Sequence, residues 1–145
     1  MPRKNAREVA MRLFYQRDVS EQPNTDEYSL SEMYAEFNLN DKDIKYIRLL
    51  LEKSDTNRKT IDKFIQRFSR DWTFERLAKV DLAIMRIAIC EMLYLSDIPH
   101  SVSINEAVEL AKKYSDRKAG PYINGILASA HNDLEQHSEV DQYNS

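Results

Sequence analysis

Gly120 and Gly125 are the only glycines among the 145 residues of this chain. Sandwiches and barrels reverse direction every few residues, and their tight turns draw heavily on glycine. So few glycines leave architectures with sparse connections, and the apolar residues recur at helical spacing. Ala6, Val9, Ala10, Leu13 and Phe14 share one helix face, as do Leu30, Met33, Tyr34 and Phe37. Ile44, Ile47 and Leu51 mark a third helix, whose apolar face Leu49 and Leu50 widen. Ile61, Phe64, Ile65 and Phe68 form a fourth stripe, and Ile104, Ala107, Val108 and Ala111 another. Ile123, Ile126, Leu127, Ala130 and Leu134 form the last. Between residues 80 and 95 the chain is apolar nearly all round, which places that helix in the middle of a bundle. The expected fold is all-α.

Breaks in the pattern set the boundaries. Pro23 and Asn24 read as a loop, Asn40 or Asp41 as a cap for the third helix, and Thr73 as a cap for a turn starting at Phe74. Pro99 is expected to end the central helix, because it cannot continue the hydrogen-bond ladder. Ser103 with Glu106 reads as a capping box opening the next helix. Gly120 and Pro121 precede the final helix, with Pro121 near its first turn. The acidic, polar end beyond His137 is expected to fray, as a flexible tail over residues 138–145.

Composition narrows the chemistry. A single cysteine, Cys90, excludes an internal disulfide framework and fits a reducing compartment. The most apolar stretch is shorter than a membrane span and carries Arg86 and Glu91, and no signal peptide is visible, so a cytoplasmic protein without a membrane is expected. Cys90 lies inside the apolar helix and reads as a small inert hydrophobe. His100, His131 and His137 lack metal-ligand spacing, and His131 and His137 read as solvated; two glycines cannot make a phosphate loop. Glu91 is alone in an apolar run, where pairing with a base or reaching the core rim is the ordinary outcome. No catalytic residue, cofactor or metal is expected.

Net charge is only −3, but it is unevenly spread. Residues 1–17 hold five cations against Glu8, and residues 132–145 hold four carboxylates and no Lys or Arg. On the first helix Arg3, Arg7, Met11 and Tyr15 are spaced by four, with Lys4, Glu8 and Arg12 beside them. A row of cations can neutralise phosphates, and a tyrosine at its end can stack an unpaired base. Lys112, Lys113, Tyr114, Arg117, Lys118 and Tyr122 form a second such cluster. On spacing alone the ordinary reading is favoured for both: a solvated face with Lys4 and Glu8 as an i, i+4 pair for the first, and for the second Tyr114 closing the core with Lys112 and Lys113 complementing a helix dipole.

Four ordered stretches carry more. The run IPHSVSINEAVELAK, ending at Lys112, resembles the NusB family's hallmark "(I/V)P..V.INEA(V/I)ELAK". Arg76-Leu77 with Val80, Asp81, Ala83, Ile84, Arg86, Ile87, Ala88 and Glu91 looks like its central helix. Tyr122-Ile-Asn-Gly-Ile-Leu127 looks like its "F(V/I)NG(V/I)L" segment, and Ala6-Arg-Glu with Ala10, Phe14 and Tyr15 like its first helix. The resemblance runs from about residue 3 to 134. It implies about seven helices in two small helical subdomains, about 1–70 and 71–137. It implies a non-enzymatic transcription antitermination factor that binds single-stranded boxA-type RNA in nascent ribosomal transcripts. The implied partners are NusE, a small-subunit ribosomal protein, and the RNA polymerase elongation complex with other Nus factors; a homodimer is also compatible. By position, the RNA surface would comprise Arg3, Lys4, Arg7, Tyr15, Asp81, Lys118 and Tyr122, and NusE would meet helices flanking residues 71–76. Asn5 and Pro121 stand where the family more often has a cation. Asn105 and Glu106 read as partners for first-turn amides, and Gly125 as a site of close helix approach. The rival readings are the NusB-like domain of an RNA cytosine methyltransferase, which the chain length argues against, and a protein-binding helical adaptor.

Overall fold

The computed structural model describes residues 4–20, 27–69 and 76–144, with side chains left out at 27–29 and from 138 onward. Among these residues it has seven helices: α1 (Lys4–Val19), α2 (Glu27–Glu36), α3 (Asp41–Thr56), α4 (Arg58–Phe68), α5 (Lys79–Tyr94), α6 (His100–Tyr114) and α7 (Ala119–Asn144). The loop expected at Pro23 and Asn24 and the cap at Thr73 lie outside the described residues, as does Arg3. α7 continues through the stretch expected to fray, as far as Asn144.

α5 is the axis. It packs against α1, α3, α4, α6 and α7, and α6 and α7 pair closely with each other. Every residue from Leu82 to Met92 on it is buried, Arg86 and Glu91 included. An all-round apolar helix is stable only when neighbours cover every face, and here five do.

Helix starts follow local chemistry, not always as expected. Asn40 caps α3 by a reciprocal box: its side chain accepts from the Asp43 amide at 2.9 Å, and Asp43 accepts from the Asn40 amide at 3.1 Å. Pro99 does not end α5, which stops at Tyr94; it is the N-cap of α6, where a residue without an N–H loses nothing. Ser103 is therefore not a cap but a buried residue one turn inside α6, and Asn105 and Glu106 lie beyond its first turn. Before α7, Asp116 Oδ1 accepts from the amides of Lys118 and Ala119 at 2.9 and 3.0 Å. Gly125 faces outward, and a Cβ built on it meets nothing within 4 Å, so it makes no close helix approach. Leu49 is likewise exposed, while Leu50 fills the core.

Two ionic networks cross the core. Arg86 grips Asp62 of α4 with Nε–Oδ1 at 2.8 Å and Nη2–Oδ2 at 3.1 Å. Asp18 of α1 gathers Arg86, Arg58 and Lys79 at 3.4 to 3.6 Å. The second network centres on Glu91 and bears on the candidate site.

Candidate nucleic-acid interface

Arg7 is not on the surface. It is 3% exposed and pairs with Glu91, which is 1% exposed, through Nη2–Oε1 at 3.0 Å and Nε–Oε2 at 3.2 Å. Tyr46 Oη donates to Glu91 Oε2 and Ser103 Oγ to Oε1, so both carboxylate oxygens are saturated. Burial opposes the Arg7 charge, but the hydrogen bonds and charge of Glu91 outweigh it and raise its pKa. Burial first, then the Glu91 charge, holds the Tyr46 phenol well above its ordinary range. Arg7 thus ties α1 to α5 and turns its guanidinium inward onto Glu91, a correction to its expected place on an exposed stripe. The geometry of the stripe explains the error. Each four-residue step on an α-helix turns by about 40°. Arg7 and Met11 therefore stay on the core side, both buried, and only Tyr15 emerges, 37% exposed.

Solvent-facing cations near Tyr15 lie elsewhere on α1 and on α6. Lys4 is exposed and shares a cleft of about 350 Å³ with Glu8, Glu106, Glu109, Lys112 and Lys113. Glu8 pairs with Lys113 across the helices rather than with Lys4 along one. Lys112 and Lys113 close the last turn of α6, where their charge complements its dipole. Arg12, spaced as a flanking residue, holds its guanidinium 5.0 Å from the Phe37 ring centroid and 5.9 Å from that of Tyr114. Tyr114 carries the Lys113 ammonium at 5.4 Å. Sequence spacing gave no signal for this meeting of α1, α2 and α6, because it depends on how the helices cross.

The remaining expected residues cluster about the α6–α7 connection. Asp81 sits in the first turn of α5, half-buried. Burial raises its pKa, a hydrogen bond with Ser115 opposes the shift, and the charge of Asp116 adds to it. Its Oδ1 is buried without a hydrogen-bond partner. Lys118 is exposed in the α6–α7 connection, two residues after Asp116, and Tyr122 is half-buried against the core with its hydroxyl oxygen enclosed.

The groups set aside as non-catalytic are structurally engaged. Cys90 is fully buried with Sγ 3.7 Å from the Leu50 carbonyl; burial, then the Glu91 charge, pushes its thiol up to about 12. His131 is not free in solvent: its Nδ1 lies 2.8 Å from Nδ1 of His100, whose Nε2 faces the Met92 carbonyl at 3.2 Å. Among the described residues no cluster of His, Cys, Asp or Glu could hold a metal ion, and no helix is long and apolar enough to cross a membrane.

Residues 4–132 match the NusB family. The chain is 44% identical over 136 residues to the transcription antitermination protein NusB of Natranaerobius thermophilus, covering 92% of this chain and 97% of that one. It is 44% identical over 127 residues to the protein of that name from Acetivibrio thermocellus, covering 88% and 86%. Its fold is similar to T. maritima NusB, with TM-score 0.72 and 29% identity over 90% of each chain. It is also similar to a chain from antitermination factors NusB and NusE in complex with dsRNA, with TM-score 0.76 and 26% identity, covering 90% of this chain and 96% of that one.

Proposed function

The chain belongs to the NusB family, and from that premise we propose that it is a transcription antitermination factor binding single-stranded boxA-type RNA of nascent ribosomal transcripts together with NusE. The pair then joins the RNA polymerase elongation complex. The role is non-catalytic and cytoplasmic. The observation that carries the reading is one face where α1 and α6 meet, with Lys4, Arg12, Lys112 and Lys113 around two accessible aromatics, Tyr15 and Tyr114. Cations for phosphates beside aromatic faces for bases are what single-stranded RNA recognition requires. Lys118 and Asp81 extend this surface at the α6–α7 connection, with Tyr122 backing it; Arg3, the residue before Lys4 in the sequence, remains among the proposed RNA contacts. Arg7 supports the surface from beneath.

The two kinds of contact have different signatures. Lys4→Ala should weaken binding of any RNA sequence alike and reduce the salt slope by roughly 0.7 on a single strand. Tyr15→Ala should cost roughly 1–3 kcal/mol and shift the salt plot without changing its slope. RNA titrations from low to high salt on both variants check this, with thermal unfolding as control. A folded Tyr15→Ala that binds RNA normally removes Tyr15 from the interface.

A further inference from the structure

A cleft of about 410 Å³ opens between α1, α2, the start of α5 and the end of α6, lined by Met11, Arg12, Tyr15, Gln16, Met33, Val80 and Tyr114. Its volume lies within the range of small-molecule sites. We propose that this cleft receives a single unstacked RNA base, with Tyr114 as its stacking partner and Arg12 at its rim; the proposal rests on the RNA-binding reading above.

The chemistry of the lining selects the occupant. Met11, Met33 and Val80 give it an apolar interior, and Tyr15 and Tyr114 contribute aromatic surface from two different helices. A flat heterocycle can gain contact with all of these, and stacking on an aromatic side chain tolerates any base. The rim is cationic: Arg12 bridges the Phe37 and Tyr114 rings, and Lys113 stands 5.4 Å from Tyr114. The neighbouring groove adds Lys4, Lys112 and Lys113, interleaved with Glu8, Glu106 and Glu109, and Lys113 pairs with Glu8 and Lys112 with Glu109, so a phosphate there would exchange with a carboxylate for its cation. A polyanion whose backbone follows those cations would present a base to the cleft, whereas a neutral apolar peptide would gain nothing from them. Arg12 and Tyr114 are thus binding residues beyond those the family resemblance implied.

The test uses the full chain mixed with NusE and a boxA-type RNA oligonucleotide, intact or with one base at a time removed. For the native protein, removal of one particular base should lower affinity about tenfold or more. Tyr114→Leu keeps apolar bulk against the core but offers no aromatic face. It should lose a similar factor on intact RNA and become indifferent to that same base, while Tyr114→Phe retains both the affinity and the base dependence. In parallel, 2-aminopurine scanned through the RNA with the native protein should show altered fluorescence on binding at that position, a readout independent of any variant's folding. If Tyr114→Leu binds intact RNA as tightly as native, or loses affinity without coupling to any one base, or if no 2-aminopurine position responds, the cleft holds no base. A variant that binds RNA normally but loses NusE would assign the cleft to a protein side chain and overturn the proposal. Failure of the native protein to bind RNA at all would defeat the RNA-binding reading itself, a separable result.

Discussion

Removing the Arg7 guanidinium leaves the Glu91 carboxylate buried with only Tyr46 and Ser103 to hold its charge. Breaking a buried pair from one side typically costs about 3–5 kcal/mol. Arg7→Met should lose that much in urea unfolding, whereas a surface phosphate contact would lose under about 1 kcal/mol. Cys90 makes a second residue-scale test. Its thiol is raised from an ordinary 9.0 to about 12, so the folded protein holds this proton more tightly than the unfolded chain does. The stability it contributes is complete below pH 9 and is lost as pH rises towards 12, by roughly 4 kcal/mol at most. The decline of unfolding free energy across that window should be shallower in Cys90→Ala than in the native protein. Identical slopes would mean that the thiol ionises as easily inside as out. Arg7 also marks the limit of what residue spacing reveals. Its charge and four-residue step to Tyr15 read as a surface stripe, but its partner lies 84 positions away. The lone carboxylate of Glu91 in an apolar run did signal a pairing, though not with whom.

Element boundaries were legible where a cap is local and obscure where a proline can serve either side. The cap of α3 was readable to within one residue, as Asn40 or Asp41; the structure chooses Asn40 and adds the reciprocal bond with Asp43, three residues on. Pro99 reads as the end of one helix when it begins the next, because four residues separate Tyr94 from Pro99 and the sequence does not say which helix yields them. Ser103 then looked like a cap, whereas its hydroxyl is needed at Glu91. Gly125 shows the same difficulty on α7. Its neighbours Ile123 and Ile126 are buried, yet Gly125 itself points away from them into open space and its backbone φ is not positive. Glycine inside a helix costs roughly 0.5–1 kcal/mol relative to alanine. Gly125→Ala should therefore raise the unfolding free energy by up to about 1 kcal/mol, measured by thermal or urea unfolding. A loss of stability would place an unseen neighbour at that Cβ.

At the scale of the molecule, the central helix was the most legible feature, because a helix apolar on all sides has only one place in a bundle. α5 is also what the ionic networks tie down: Glu91 to α1, α3 and α6, and Arg86 to α1 and α4. These connections fix α1 against its neighbours and so set the surface on which Lys4, Arg12 and Tyr15 sit beside α6. That surface was half legible. Spacing named the first helix and the Lys112–Tyr122 region, and the family resemblance supplied the reason to join them. Only the helix crossing brought Arg12 over Tyr114. A chain of net charge −3, whose cations are balanced by carboxylates, has a weak electrostatic attraction of its own for RNA, so a basic partner should add to it. The most direct measurement is titration of a boxA-type RNA and a scrambled RNA of equal length and composition, each with and without NusE, at fixed salt. The boxA-type RNA should bind more tightly than the scrambled one. NusE should raise its affinity tenfold or more, within the usual 1–3 kcal/mol of coupling. Equal affinity for the two RNAs, unchanged by NusE, would contradict the account.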